Sequence, residues 1–303
     1  MIARVAAGLL ALIATLASAS GPSIERVTFE SFDLDGAGAP LTLNALLFRP
    51  PGSEGKRIPA VVALHGCGGM YSIAASRRND LSIRHRTMAD LLAGEGYAVL
   101  FPDSFRSRGR ESICNEVRRN RTVTVAHRRL DALGALAYLQ ERGDIAQDRI
   151  AVLGWSHGGS TVLLSDNARS NAVQRFRADQ APFFRAAIAF YPGCFESLNA
   201  TEGYAAAAPL LMLVGASDDW TSPRPCIALA ERLERARGPV QIVVYPDTYH
   251  GFDGPDSQKR MHLDVPNGVQ PGKGVTVAVN PAAREDAYRR VRQFLRGTLG
   301  TDR

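Results

Sequence analysis

A glycine-rich turn at residues 154–159 constrains this chain more than any other feature. Its sequence, Gly-Trp-Ser-His-Gly-Gly, contains the pattern G-x-S-x-G. An apolar segment that predicts a strand (149–153) precedes the turn, and a segment that predicts a helix (161–168) follows it. A serine on so tight a turn stands exposed above a sheet, and only glycine fits at the flanking positions. The pattern predicts Ser156 as a nucleophile; the alternative is a strand–helix turn with an idle serine.

Short apolar segments alternate with amphipathic segments along the rest of the chain. Strands are predicted at 27–32, 41–48, 59–64, 97–101, 149–153, 186–190, 209–214 and 240–245, and helices at 82–94, 123–140, 161–168, 226–237 and 282–299. Strands without polar members are buried on both faces, so the alternation predicts an α/β protein with a mostly parallel sheet. A short turn joins the first two strands, which predicts an antiparallel edge.

Domain boundaries are not evident after the first residues, because no linker divides the chain. We therefore expect a single domain over residues 20–303. Residues 253–281 are rich in Gly, Pro and polar residues, and they predict a long surface excursion of undefined path.

The first residues predict a secretory signal peptide over residues 1–19. Arg4 precedes an uncharged stretch (5–16), and Ala17, Ser18 and Ala19 are small residues of the kind found at a cleavage site. This stretch is too short to cross a bilayer comfortably. We expect cleavage near Ala19, no stable membrane insertion, and a secreted or periplasmic protein. The alternative is an uncleaved anchor or an N-terminal core helix.

The composition excludes a disordered chain, and the charge is concentrated in one region. Hydrophobic residues make up 45% and charged residues 22% of the 303 residues. The net charge is +6, and residues 77–129 hold twelve arginines against six acids. Such a region forms solvated helix faces and loops, or it attracts an acidic substrate or an envelope surface. No nucleic-acid-binding module accompanies it, so nucleic acid is not an expected partner.

A serine nucleophile needs a base, and the base needs an acid to orient it. On a strand–turn–helix serine the three follow in the order Ser, Asp or Glu, His. Asp218 and Asp219 follow a predicted strand, and we prefer Asp218 as the acid. His250 follows the last predicted strand and is the expected base, with His262 in reserve. The alternative for both acids is capping of the next helix.

Acyl transfer also needs N–H donors for the oxyanion. The loop His-Gly-Cys-Gly-Gly (65–69) follows the third predicted strand, and the backbone N–H of Cys67 is one expected donor. The N–H of His157, next to the nucleophile, is the other. His65 is expected to stabilise the loop through a hydrogen bond to backbone rather than to take part in the chemistry.

Five motifs together resemble the dienelactone hydrolase family of α/β-hydrolases over roughly residues 25–299. They are HGCGG (65–69), PDSF (102–105), GWSHGG (154–159), GASDDW (215–220) and YHGF (249–252). The resemblance implies an α/β-hydrolase fold with a sheet of about eight strands, and hydrolysis of a carboxylic ester or lactone without a metal or organic cofactor. It matches Ser156 to the nucleophile, Asp218 to the acid and His250 to the base. Dienelactone hydrolase itself uses Cys where this chain has Ser156, which favours general ester chemistry here.

Substrate-binding residues are less well defined by the resemblance. Dienelactone hydrolase binds a substrate carboxylate with arginines, one of them in the loop after the PD-containing strand. Arg106 and Arg108 lie in that loop here, so an anionic small-molecule substrate is a hypothesis. Trp155 and Trp220 flank the site in sequence; they are expected to line the pocket or simply to pack.

Four cysteines remain after signal cleavage, and they predict disulfides in an oxidising compartment. Their spacing is not that of a zinc site, and the sequence alone allows three pairings. In a sheet of the implied kind, Cys67 and Cys114 follow neighbouring strands, as do Cys194 and Cys226. This arrangement predicts those two pairs; buried free thiols are the alternative.

The sequence thus predicts an exported serine hydrolase that acts on esters or lactones through an acyl-enzyme. An exported peptidase or acyltransferase of the same fold would carry similar motifs. A non-catalytic binding protein that retains the fold is the third possibility. Neither the natural substrate nor the oligomeric state follows from the sequence.

Overall fold

A central sheet of eight strands organises the computed structural model, which describes residues 21–179, 182–255 and 258–300. The strand order across the sheet is β1-β2-β4-β3-β5-β6-β7-β8. The strands are β1 (Ser23–Leu34), β2 (Pro40–Arg49), β3 (Ile58–Leu64), β4 (Ala98–Pro102), β5 (Ile145–Trp155), β6 (Ala186–Phe190), β7 (Leu210–Gly215) and β8 (Val240–Tyr245). The predicted signal peptide lies outside the described residues.

Most neighbouring strands are parallel, as predicted. β1 pairs antiparallel with β2, and β2 pairs antiparallel with β4, whereas every other pairing in this sheet is parallel. The carboxyl ends of β3 to β8 therefore meet along one edge. In open α/β sheets this edge is where loops bring functional side chains together.

Helices cover both faces of the sheet. They are α1 (Ile83–Gly94), α2 (Val125–Glu141), α3 (His157–Ser165), α4 (Asn171–Asp179), α5 (Phe195–Leu198), α6 (Arg224–Arg235) and α7 (Pro281–Leu299). One core layer packs α2, α3 and α6 on the sheet, and the other packs α1 and α7. Val61 and Val62 of β3 belong to opposite layers, because successive strand side chains point to opposite faces.

Two short helices were absent from the sequence prediction. α4 is mostly polar and turns only two apolar side chains, Val173 and Phe176, into the interior. α5 has four residues. Neither segment has an apolar stripe long enough to give a helical signal.

The excursion after β8 contains a small second sheet. β9 (Arg260–His262) pairs antiparallel with β10 (Val275–Val277). Asp219 accepts hydrogen bonds of 2.7 Å from both the backbone N–H and the hydroxyl of Thr276. The excursion is therefore attached to the loop that follows β7.

Both predicted disulfides are present. Cys67 is bonded to Cys114, and Cys194 to Cys226, which leaves no free cysteine. The first bridge joins the loops after β3 and β4, and the second joins the segment after β6 to the start of α6. Within the described ranges, no helix has both the length and the apolar character that a membrane crossing requires.

Candidate active site

Ser156 occupies a strained turn between β5 and α3. Its φ is +53°, a left-handed value that is unusual for a residue other than glycine. A Cβ at Gly154 would clash with the carbonyl of Gly158, and one at Gly158 would clash with the carbonyl of Leu64. The glycines of the pattern are thus required by close backbone packing, which supports the predicted strand–turn–helix geometry.

Ser156, His250 and Asp218 form a continuous chain of short contacts. The Nε2 atom of His250 lies 2.9 Å from Oγ of Ser156, and its Nδ1 atom lies 2.8 Å from Oδ2 of Asp218. All three side chains are buried, at 3–9% exposure. These contacts suit proton transfer from a serine to an imidazole whose second nitrogen is held by a carboxylate.

The imidazole of His250 is enclosed by two aromatic rings. The ring centroid of Tyr191 lies 4.6 Å from it in an edge-on arrangement, and that of Trp220 lies 4.7 Å away. Trp220 is half-buried and packs beside Cys67 and Phe105. Its position agrees with the expectation that it lines the site.

Asp218 is held by hydrogen bonds from the loop that follows it. Its Oδ1 atom accepts from the backbone N–H groups of Trp220 (2.9 Å) and Thr221 (2.8 Å), and its Oδ2 atom accepts from the Thr221 hydroxyl (2.9 Å). Asp219 points to the excursion instead, as its bonds to Thr276 show. His262, the reserve base, is exposed on β9. The geometry thus favours the preferred acid and base over both alternatives.

The loop after β3 runs beside Ser156. A Cβ at Gly66 would lie 3.7 Å from Cβ of Ser156, which places the peptide of Cys67 next to the serine. The carbonyl of Cys67 accepts from the N–H of Ile113 at 2.9 Å. His65 is buried with Nδ1 2.8 Å from the carbonyl of Gly66, the backbone contact expected of it, and burial keeps its pKa well below its usual value.

A buried carboxylate that the sequence analysis did not single out links several parts of the site. Asp253 accepts from the indole N–H of Trp155 (2.8 Å) and from the hydroxyl of Tyr191 (2.6 Å), and it pairs with Arg84 (3.0 Å). Only its position one residue after the YHGF motif could have drawn attention to it, because its partners come from three other elements.

Two of the candidate substrate-binding residues are engaged within the protein, Trp155 in the packing role that was the alternative for it. Trp155 is 1% exposed and stacks between Phe101 and Phe190 in the core, because it is the last residue of β5 and points inward. Arg108 pairs with Asp33 (2.7 Å) and Asp131 (2.8 Å), so two carboxylates already occupy its guanidinium.

Arg106 keeps a third of its side chain exposed, and it stacks on Tyr71 at 3.8 Å and donates to the carbonyl of Arg78 at 3.0 Å. It lines a small cavity that also contains Gly68 and Gly69 of the loop after β3. Arg106 therefore lies at the edge of the site, near the loop after β3, and its contacts are with neighbouring protein groups.

A basic cavity of about 310 Å³ adjoins the nucleophile helix. We use this name for the space lined by Arg118, Arg121, His157, Ser160, Phe195 and one acidic residue, Glu196, among others. Burial and the neighbouring Arg118 lower the pKa of Arg121. In the described ranges no group of three or more His, Cys, Asp or Glu is arranged to hold a metal ion.

The sheet order and the serine turn between β5 and α3 define an α/β-hydrolase. Comparison with protein families then places the chain more narrowly. The chain belongs to the dienelactone hydrolase family, whose model matches residues 43–299. The family resemblance noted in the sequence is thereby confirmed.

Individual relatives agree with this assignment. The chain is 31% identical over 122 residues to "Putative hydrolase YtaP" of Bacillus subtilis, a match that covers 38% of this chain and only 40% of YtaP. It is 23% identical to "Probable 2-oxo-3-(5-oxofuran-2-ylidene)propanoate lactonase" of Bradyrhizobium, covering 65% of this chain and 74% of the lactonase. A solved structure, the dienelactone hydrolase-like promiscuous phosphotriesterase P91 from metagenomic libraries, shares the fold with a TM-score of 0.64 at 18% identity, covering 93% of this chain and 100% of P91.

Proposed function

We propose that this protein is an exported serine hydrolase that cleaves carboxylic esters or lactones. The observation that carries the proposal is the 2.9 Å approach of His250 Nε2 to Ser156 Oγ, with Asp218 behind the imidazole. A serine hydroxyl becomes an effective nucleophile when such a base removes its proton. A binding protein that had lost its chemistry would have no need to retain this contact or the strain at Ser156.

The reaction follows from these contacts. His250 takes the proton of Ser156 as Oγ attacks the substrate carbonyl, and the N–H groups of Cys67 and His157 hold the resulting oxyanion. Collapse of this intermediate breaks the bond to the alcohol, which receives the proton from His250. A water molecule, deprotonated by His250, then attacks the acyl-enzyme; the bond between the acyl group and Ser156 Oγ breaks, the acid leaves, and His250 returns the proton to Ser156. Asp218 keeps the imidazole in the tautomer that accepts the serine proton.

The basic cavity is our proposed substrate pocket. It contains His157 and Ser160, one and four residues after the nucleophile, and it presents Arg118 and Arg121. The side chain of Arg118 is mostly exposed, and its guanidinium lies 3.8 Å from the carboxylate of Glu196. The side chain of Arg121 is partly buried. Two guanidinium groups in one pocket favour esters whose acyl or alcohol part carries a carboxylate. We therefore propose Arg118 and Arg121, rather than Arg108, as the residues that would bind an anionic substrate.

Export is supported by the two disulfides, because such bonds persist in oxidising compartments and are rare in the cytosol. Expression of the full chain in a bacterium, followed by fractionation and N-terminal sequencing, tests this point. Mature protein that begins after Ala19 in the periplasm or medium is expected. Uncleaved protein confined to the cytosol would contradict export.

The activity itself is tested with matched substrates. Purified protein is assayed on a short nitrophenyl ester, a simple lactone and the corresponding nitroanilide, beside a Ser156→Ala variant. We expect ester or lactone turnover that the variant lacks, since loss of a serine nucleophile costs about 10⁶-fold in subtilisin. Turnover of the anilide at a similar rate would favour a peptidase instead.

A further inference from the structure

Arg128 is a buried cation with no carboxylate at ion-pair distance among the described residues. Its guanidinium faces the ring of Phe105 at 5.1 Å, and Asp131 attracts it from further away. Arg128 lies on α2 with 0% exposure, yet none of the ion pairs among the described residues involves it. Burial lowers its pKa to about 9, so it is still charged at neutral pH. Burying an unpaired charge is costly, and a protein retains such a group only when its other contacts compensate.

Its contacts go to the two segments that flank the nucleophile. One terminal nitrogen donates to the carbonyl of His65 at 2.7 Å, and the other lies 2.9 Å from Nδ1 of His157. His65 begins the loop that carries Cys67, and His157 is the residue after Ser156. One guanidinium therefore joins the two loops that supply the proposed oxyanion donors.

The contact with His157 also defines the state of that imidazole. A guanidinium only donates, so Nδ1 of His157 must accept and its proton resides on Nε2. Burial and the charge of Arg128 hold the pKa of His157 well below its usual value, which keeps the ring neutral. His157 lines the basic cavity, so its ring is held between Arg128 and the proposed substrate pocket.

We propose that Arg128 is a positioning residue of the oxyanion hole: it holds the amides of Cys67 and His157 at the separation that receives the oxyanion. This inference rests on the proposed function. Donors that are already in place stabilise developing charge without a reorganisation cost, and loss of one donor lowers kcat by about 10²–10³-fold. The positive charge behind both loops adds to this stabilisation because the surroundings are of low polarity.

The test uses Arg128→Met and Arg128→Lys with an oxygen ester and its matching thionoester. Sulfur accepts hydrogen bonds poorly, so the thionoester gains little from an intact oxyanion hole. We expect kcat on the oxygen ester to fall about 10²-fold in Arg128→Met while KM changes little. The fall in kcat on the thionoester should be smaller. The ratio of kcat on the oxygen ester to kcat on the thionoester therefore decreases in the variant.

Arg129→Met is the matched control. Arg129 is the next residue on α2, is half-buried, and donates to the hydroxyl of Ser170 at 2.8 Å, away from the nucleophile. Its loss removes a less deeply buried guanidinium from the same helix, and we expect an unchanged ratio of the rates on the oxygen ester and the thionoester. Guanidinium added to the assay at millimolar concentration should partly restore kcat on the oxygen ester in an Arg128→Ala variant. It should not restore kcat in Ser156→Ala.

Arg128→Lys resolves the case in which Arg128→Met does not fold. Lysine keeps the charge but presents one ammonium group in place of the planar fork that reaches both His65 and His157. Suppose that the wild type is active and that Arg128→Lys has the wild-type kcat and the wild-type ratio of rates on the oxygen ester and the thionoester. This result would overturn the inference about Arg128 but not the proposed function. A wild type without turnover and without reaction at Ser156 would overturn the proposed function and this inference with it.

Discussion

The indole N–H of Trp155 donates a hydrogen bond of 2.8 Å to Asp253, 98 residues further along the chain. Trp155 precedes Ser156, and Asp253 lies three residues after His250. One buried carboxylate therefore connects the turn that carries the proposed nucleophile with the loop that carries the proposed base. Arg84 of α1 and Tyr191, which follows β6, complete this network.

Asp253→Asn tests the importance of this connection. The substitution leaves Arg84 without its partner, and breaking a buried ion pair costs about 3 kcal/mol of the free energy of unfolding. We also expect kcat to fall, because the His250 loop loses an attachment. Urea unfolding and ester kinetics measure the two effects. Asp90→Asn, in the exposed pair with Arg86, should cost less than about 1 kcal/mol; equal stability of the two variants would refute the account.

Asp218→Asn and Asp219→Asn distinguish the two candidate acids. An amide at position 218 favours the wrong tautomer of His250, and the equivalent change in trypsin lowers kcat about 10⁴-fold. Asp219→Asn weakens only the attachment of the excursion through Thr276, so we expect near wild-type kcat. Steady-state ester kinetics on both variants provide the comparison. A larger loss at position 219 than at 218 would reverse the assignment of the acid.

His85 should make the protein less stable in acid. It is buried at 4% exposure, and burial lowers its pKa from 6.5 to about 4. Between these pH values the unfolded chain binds a proton that the folded chain excludes, so the free energy of unfolding decreases as the pH falls from 6.5 to 4. The shift corresponds to about 3 kcal/mol by pH 4.

Urea unfolding of the wild type and His85→Asn at pH 7 and pH 4 measures this effect. Other buried groups titrate in both proteins, so their contributions cancel in the comparison. The wild type should lose about 3 kcal/mol more than the variant between the two pH values. Equal losses would mean that His85 is not the residue responsible.

Arg121→Met tests the assignment of the basic cavity to the substrate. The variant should raise KM for an ester that carries a carboxylate while leaving KM for a neutral ester of the same size nearly unchanged. A charge-assisted hydrogen bond contributes about 1.5–3 kcal/mol, which corresponds to a change of roughly tenfold or more. Arg106→Met is the comparison variant. If that variant alone lost the preference for the anionic ester, the pocket would have to be placed beside Gly68 and Gly69.

The sequence was sufficient to predict which side chains the fold brings together through chain order. Ser156, Asp218 and His250 each follow an apolar strand, and the carboxyl ends of parallel strands meet at one edge, so their proximity followed from the fold. The disulfide pairs could be predicted for the same reason. Sequence order could not show that Trp155 points inward, because the direction of a side chain at the end of a strand depends on the local twist and turn.

Arg128 and Asp253 could not be predicted because their importance comes from contacts made only in the folded chain. Arg128 is one of twelve arginines between residues 77 and 129, and nothing in the sequence distinguishes it from those on the surface. Its burial depends on how α2 packs against the loops after β3 and β5. The path of the excursion was equally undefined, since it depends on Asp219, a residue of another loop.

The most direct test of the account is labelling of the mature protein with a fluorophosphonate, followed by peptide mass spectrometry. We predict a single adduct on Ser156, absent from Ser156→Ala and formed much more slowly in His250→Gln. Thermal unfolding and circular dichroism establish that each protein is folded. Folded wild-type protein that forms no adduct, or forms it on another serine with ester turnover intact in Ser156→Ala, would contradict the proposed nucleophile.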